Sequence, residues 1–233
     1  IEAPDTSRKR STDKALERFA RHFSLRTRKA VIGFVSDTEQ EIAFLYDPDR
    51  LTARHDPQGK ATGPSGAHDA PRFDGTFRYD LDADGISEVI RFSKPPLELA
   101  LTHARTTLRL IGMHAKSKAP HGAGTAAEVT RLAIDNRRKQ LAQCLWVRQR
   151  VEQHLAQGDH VIVMGDLNDG PGLDEYEKLF GRSGVEVILG EDAAPALIKA
   201  AKHTMENASH PAVDLKVPLI VEAGQGLNWA AAH

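Results

Sequence analysis

The segment EVTRLAIDNRRKQLAQCLWVRQRVEQHLAQG (128–158) and the run HVIVMGD (160–166) behind it constrain the fold more than any other part of the chain. Leu141, Cys144, Leu145, Val147, Val151 and Leu155 recur at helical spacing, the opposite face is charged, and Gly158 supplies a stop. Four apolar residues (161–164) then run into Gly165, a pattern that reads as a buried strand. A long amphipathic helix feeding such a strand belongs to layered α/β architecture. In that architecture function gathers where strands end and the chain turns outward.

Asp166, Asn168 and Asp169 follow that strand within four positions. On composition DLNDGPG reads as a turn, because Asp, Asn and Gly are the commonest turn residues. Its place after a rigid strand suits a cleft as well. A second signal favours the cleft. LRLIGMHAKSK (108–118) is another apolar strand, ending in a lone His114 followed by Lys116 and Lys118.

Further strands are expected at EIAFLYD (41–47), broken by PDR, and at LELALTHA (97–104) and TTLRLIGMHA (106–115), joined by a tight turn at Arg105. The Gly/Pro/Asp-rich stretch 54–75 lacks periodicity and reads as a long surface insertion. DLDADGISE (80–88) spaces Asp80, Asp82, Asp84 and Glu88 around Gly85 as a calcium loop would. Arg91 stands where the bidentate Glu belongs, so an acidic hairpin turn is the better reading. Absent any repeat or linker, residues 1–233 are expected to form one domain.

Composition narrows the function classes. A net charge of −1 excludes a globally basic nucleic-acid binder but not a local basic cleft. The single Cys144 excludes an intrachain disulfide framework and a multi-cysteine zinc site. No run approaches the roughly 18 apolar residues of an integral membrane segment. IEAPDTSRKRSTDK (1–14) carries no signal-peptide apolar core, which leaves open both a cytoplasmic chain and one secreted after signal removal. Oligomeric state is open as well.

GDLND (165–169), preceded by a strand ending in HAKSK (114–118) with a long helix between, resembles the endonuclease/exonuclease/phosphatase superfamily of DNase I-like phosphoesterases. EIAFLYDPDRL (41–51) looks like that family's mid-domain strand, and RFSKPPLELAL (91–101) like the strand leading towards the histidine. The resemblance spans about residues 31–190. It implies a four-layer α/β/β/α sandwich of two packed, mainly antiparallel sheets; a doubly wound parallel sheet is the alternative. It also implies a hydrolase that uses Mg²⁺ (or Mn²⁺) and takes nucleic acid or a small phosphoester.

Phosphodiester hydrolysis needs an oriented water, charge neutralisation and help for the leaving oxygen. By resemblance, Asp166 would orient and deprotonate the water, Asn168 would hydrogen-bond phosphate or water, and His114 would contact the phosphate. Lys116 would attract an anionic substrate. Arg137, within NRRKQ (136–140), is carried over as a substrate-side arginine, with a solvated helix surface as its alternative. Asp169 would orient a neighbour, or simply make a turn.

The chain departs from the family pattern in three places. It lacks the early Asn, the metal-binding Glu in a QE context and the closing SDH, so the metal ligands are unassigned. Glu41 follows Gln40 but opens a strand matching a later element. His210, in ASHPAV (208–213), is a weak candidate for the closing histidine. The abrupt change of character at FSLRTRKAVIGFVSD (23–37) suggests that stretches carrying these motifs are missing from this chain rather than decayed.

Overall fold

The computed structural model describes residues 1–4, 12–81, 84–169, 173–190 and 206. Two compact units are present, Ile1–Asn168 and Asp169–His233.

In the first unit, β1 (Glu2–Pro4), β3 (Gln40–Tyr46) and β2 (Lys29–Ile32) form an antiparallel three-stranded sheet in that order. β4 (Thr52–His55), β7 (Leu97–His103), β8 (Thr106–His114) and β9 (His160–Asp166) form a second, four-stranded sheet. β4, β7 and β8 pair antiparallel, and β9 joins β8 in parallel. A two-stranded hairpin, β5 (Phe77–Tyr79) and β6 (Glu88–Ile90), stands apart from both sheets. The fold is therefore mixed α/β with packed sheets and helices.

Alternation along the strands sets the packing. Leu97, Leu99 and Leu101 of β7 and Leu110 of β8 join Ile42 of β3 in one buried cluster, with Val31, Phe44, Leu51, Ala53 and Leu108 against it. Each such side chain contributes about 1.5–3 kcal/mol when fully buried. Glu98 and Arg109 point to the opposite face, where α2 (Ala126–Ala156) lies. α1 (Thr12–His22) packs on β2. Among the described residues no helix is long and apolar enough to cross a membrane.

α2 begins two residues earlier than periodicity alone predicts. Thr125 accepts the Glu128 amide and Glu128 caps the Thr125 amide in return, a capping box that starts the helix before its first apolar residue. At the other end Gly158 adopts φ +79°, the left-handed stop.

Buried charge holds α2 to the sheet. His154 places Nε2 2.9 Å from Glu98 and Nδ1 2.9 Å from Asp159. A ring with a carboxylate on each nitrogen donates from both, so it is an imidazolium. The Glu98 hydrogen bond, helped by Asp159, outweighs burial and raises the His154 pKa above its ordinary value. His154 in turn, with Arg109, holds the Asp159 carboxyl below the usual range.

Two expectations are corrected. Stretch 54–75 is only in part the expected surface insertion: Arg54 and His55 belong to β4, residues 59–61, 63–65, 68 and 69 are exposed loop, and Ala70–Phe73 are pinned against α2. Trp146 donates to the Pro71 carbonyl, Arg150 donates to those of Ala70 and Pro71, and Phe73 packs on Trp146 with ring centroids 5.5 Å apart. Lacking periodicity, the stretch hides its anchoring aromatic in a loop. β9 is likewise not a buried strand but a sheet edge. Ile162 and Met164 are 45% and 50% exposed. They share a face with Leu110 and Gly112.

The DLDADGISE stretch connects β5 to β6. Asp80 accepts the amides of Asp84 and Gly85, Asp84 accepts that of Ile86, and Glu88 accepts that of Leu81. The described carboxylates thus cap a turn; Asp82 lies outside the described residues. In the second unit the described elements are a 3₁₀ turn (Glu177–Leu179) and α3 (Gly184–Leu189).

Candidate functional site

β8 and β9 run side by side and end together, with His114 opposite Asp166 as the last register pair. Gly165 permits the approach. Its φ is +139°, and a Cβ there would lie 2.0 Å from the Met113 carbonyl oxygen. No other residue fits just before Asp166.

Past Asp166 the chain turns back. Asn168 adopts φ +50°, a left-handed conformation that Asn tolerates better than most residues. Its amide N–H donates to Asp166 Oδ1 at 2.8 Å, closing the turn. Its side-chain Nδ2 donates to Ala115 O at 2.9 Å and faces His114 Nε2 at 3.2 Å. With the amide orientation fixed by the Ala115 carbonyl, Nδ2 presents a hydrogen towards Nε2. Lys94, buried, holds its ammonium 3.5 Å from His114 Nδ1.

α2 supports both strand ends from one stripe of polar side chains. Gln140 Nε2 donates to the carbonyls of Leu167 and Asn168, each at 2.9 Å. Gln143 accepts the Lys116 amide at 2.7 Å and donates to Arg91 O at 2.9 Å. Asn136 donates to Ala119 O. These bonds satisfy backbone groups that the loops would otherwise leave unpaired.

His114, Asp166 and Asn168 are thus brought together, with His114 and Asn168 half-buried and Asp166 exposed. Lys116 is half-buried on the adjoining loop. Arg137 is not the solvated helix surface that was its alternative. Its side chain is buried and donates to Ala133 O at 2.9 Å and Lys118 O at 3.5 Å, so it stiffens the lysine loop from behind. Asp169 belongs to the second unit, where it accepts the Val185 amide. His210 lies outside the described residues.

Three contributors escaped sequence reasoning. Lys94 sits in SKPP just ahead of a buried strand, an isolated cation with no periodic signature. Gln140 and Gln143 follow Asn136 at helical spacing, and an amide stripe on a helix face due to be buried was their signal.

Among the described residues no three His, Cys, Asp or Glu side chains gather as a metal cage. Mg²⁺ does not require one, since it is commonly held by one or two carboxylates with water and substrate phosphate. Asp166 presents a carboxylate at the strand end, and Asn168 adds a hard amide oxygen. Glu41, buried, accepts the Ser36 amide through Oε1 at 3.4 Å, while Oε2 has no hydrogen-bond partner. Ser36 in turn donates to Ser93 O, next to Lys94.

Beside His114 and Asp166 opens a recess of about 220 Å³, whose apolar wall includes Ile42, Phe44, Leu97 and Met164. No family model and no curated protein matches this chain.

Proposed function

We propose that the chain is a metal-dependent phosphoesterase on a DNase I-like four-layer sandwich, acting on a phosphodiester by direct attack of an activated water. The observation that carries this reading is the pairing of His114 with Asp166 at two strand ends, tied by Asn168. Asp166 is the exposed carboxylate and takes the proton of the attacking water. Lys94 holds its ammonium 3.5 Å from the His114 ring, where a phosphate oxygen can accept from it. Lys116 draws the anion in, and Asn168 orients it with a neutral amide. Mg²⁺ (or Mn²⁺), held by Asp166 and Asn168, would neutralise the non-bridging oxygens.

Purified protein with Mg²⁺ is expected to hydrolyse bis(p-nitrophenyl) phosphate, and Asp166→Ala to lose at least about a hundredfold in rate. Hydrolysis that survives Asp166→Ala overturns the reading. Nucleic acid is the favoured substrate and a small phosphoester the alternative. Plasmid DNA, RNA, sphingomyelin and inositol phosphates assayed side by side decide between them. Nuclease activity is ruled out if DNA and RNA stay intact while a small phosphoester turns over.

A non-catalytic anion-binding module is the second reading. It is favoured by the way Asn168 and His114 already satisfy one another. Calorimetric titration with Mg²⁺ separates the two, since the module requires no metal.

A further inference from the structure

β9 (His160–Asp166) is the last strand of the larger sheet, and among the described residues β8 is its only partner. Proteins protect such edges with short strands, charged side chains or proline, because an open row of backbone donors and acceptors recruits another strand. The opposite edge of the same sheet follows that rule. β4 is four residues long and carries the exposed Arg54, paired with Asp56. β9 breaks it. The strand holds no proline and, from Val161 to Gly165, no charge, and Ile162 and Met164 are exposed.

The backbone at this edge is set for pairing. The Asp166 carbonyl accepts the Ala115 amide, so by the two-residue alternation of a strand the even-numbered residues of β9 turn their backbone groups towards β8. Val161 and Val163 turn theirs outward. An antiparallel newcomer can therefore dock only with its own outward-turned residues opposite these two. Another copy of β9, related by a two-fold axis through Val163, meets that condition. Ile162 then faces the partner's Met164, apolar on apolar, and the exposed His160 faces the partner's Asp166, imidazole on carboxylate. Both are non-hydrogen-bonded pairs, whose Cα atoms lie about 4.5 Å apart with side chains in reach. An axis through Ile162 would oppose Met164 to His160, and one through Met164 would oppose Ile162 to Asp166. Only the Val163 register matches every pair.

We propose that two copies of this chain join by antiparallel β9–β9 pairing, which merges their four-stranded sheets and sets His160 of each copy against Asp166 of the other. A two-fold interface uses one patch twice, so that patch must complement itself. β9 does so, with apolar pairs at its middle and an imidazole–carboxylate pair at each end. A strand captured from a different protein would require no such self-match. The second copy also adds to the candidate site. It brings a ring beside the strand-end carboxylate, and its Ile162 against Met164 in the wall of the recess. The dimer does not rest on the phosphoesterase reading, and it holds for a catalytic or a binding protein alike.

Sedimentation velocity on the full chain, from micromolar to submillimolar concentration, tests it. The parent is expected to be a dimer. Ile162→Lys with Met164→Lys sets lysine against lysine across the axis, and should give a monomer with an unchanged circular-dichroism spectrum because both positions are exposed. His160→Asp creates two carboxylate pairs per dimer and should weaken association about fivefold or more. Adding Asp166→His restores opposite partners across the axis and should recover the lost affinity. A parent that stays monomeric overturns the proposal. So does a dimer that survives the double-lysine variant, or one that His160→Asp leaves as tight. A swap that recovers nothing overturns the register through Val163. None of these measurements reads hydrolysis, so the interface and the hydrolytic site fail separately.

Discussion

Asn168 Nδ2 stands 3.2 Å from His114 Nε2, across 54 residues of intervening chain. The same nitrogen donates to Ala115 O, and the Asn168 backbone is left-handed. One residue thus has two separable duties, in its backbone conformation and in its amide. Asn168→Gly keeps the conformation and discards the amide. Its melting temperature is expected to stay within a few degrees of the parent, while phosphodiesterase rate falls at least about tenfold. Asn168→Val loses both, and should cost a further 1–2 kcal/mol or so in chemical denaturation because a β-branched residue resists this φ.

Gln140 reaches the site through backbone carbonyls. Gln140→Leu strands the Leu167 and Asn168 carbonyls and is expected to cost about 2 kcal/mol by urea titration. Because the loop carrying Asn168 then loses its support, kcat should fall more than KM rises. A change in KM alone would make Gln140 a substrate-binding side chain instead.

Gly165 tolerates no side chain. Gly165→Ala places a Cβ 2.0 Å from Met113 O, and either β9 must pull away from β8 or the strand must distort. A loss of about 3 kcal/mol or more is expected, seen as reduced soluble yield and a lowered thermal midpoint. A stable and active Gly165→Ala protein would disprove the close approach.

The clasp around His154 predicts a pH dependence with a definite sign. A raised histidine pKa gives stability that is complete below the ordinary value of 6.5 and lost as pH climbs through the folded value. The lowered Asp159 pKa gives stability that is complete above 3.8 and lost as pH falls through its folded value. Denaturation midpoints should therefore peak between these limits and decline on the alkaline side. His154→Gln should flatten the alkaline decline and cost about 3 kcal/mol at the peak, since it leaves Glu98 buried beside a weaker partner.

Much of the frame was legible because it repeats. The 128–158 periodicity finds α2, and the apolar runs find β3, β7, β8 and β9 to within about a residue or two. Periodicity cannot tell a strand at the middle of a sheet from one at its edge, and β9 was misread for that reason. Nor does it reach a loop whose anchor is distant: Trp146 meets the Pro71 carbonyl 75 residues back. The site divides along the same line. His114, Asp166 and Asn168 are conspicuous because they end apolar runs. Lys94, Gln140 and Gln143 act through a ring or a backbone group 20 or more residues away, and no local pattern marks such a partner.

The parallel pairing of β8 with β9 also fixes when this site comes into being. Antiparallel neighbours such as β7 and β8 zip from a two-residue turn, whereas β9 reaches β8 only after the whole of α2 has formed and swung across the sheet. Closing so long a loop is entropically slow. Refolding is therefore expected to pair β7 with β8 before β9 reaches β8, so that Asp166 joins His114 late. Ligand affinity or turnover should accordingly emerge in the last kinetic phase, after the bulk of the circular-dichroism signal, and any partially folded species that outlives that step will be chemically silent.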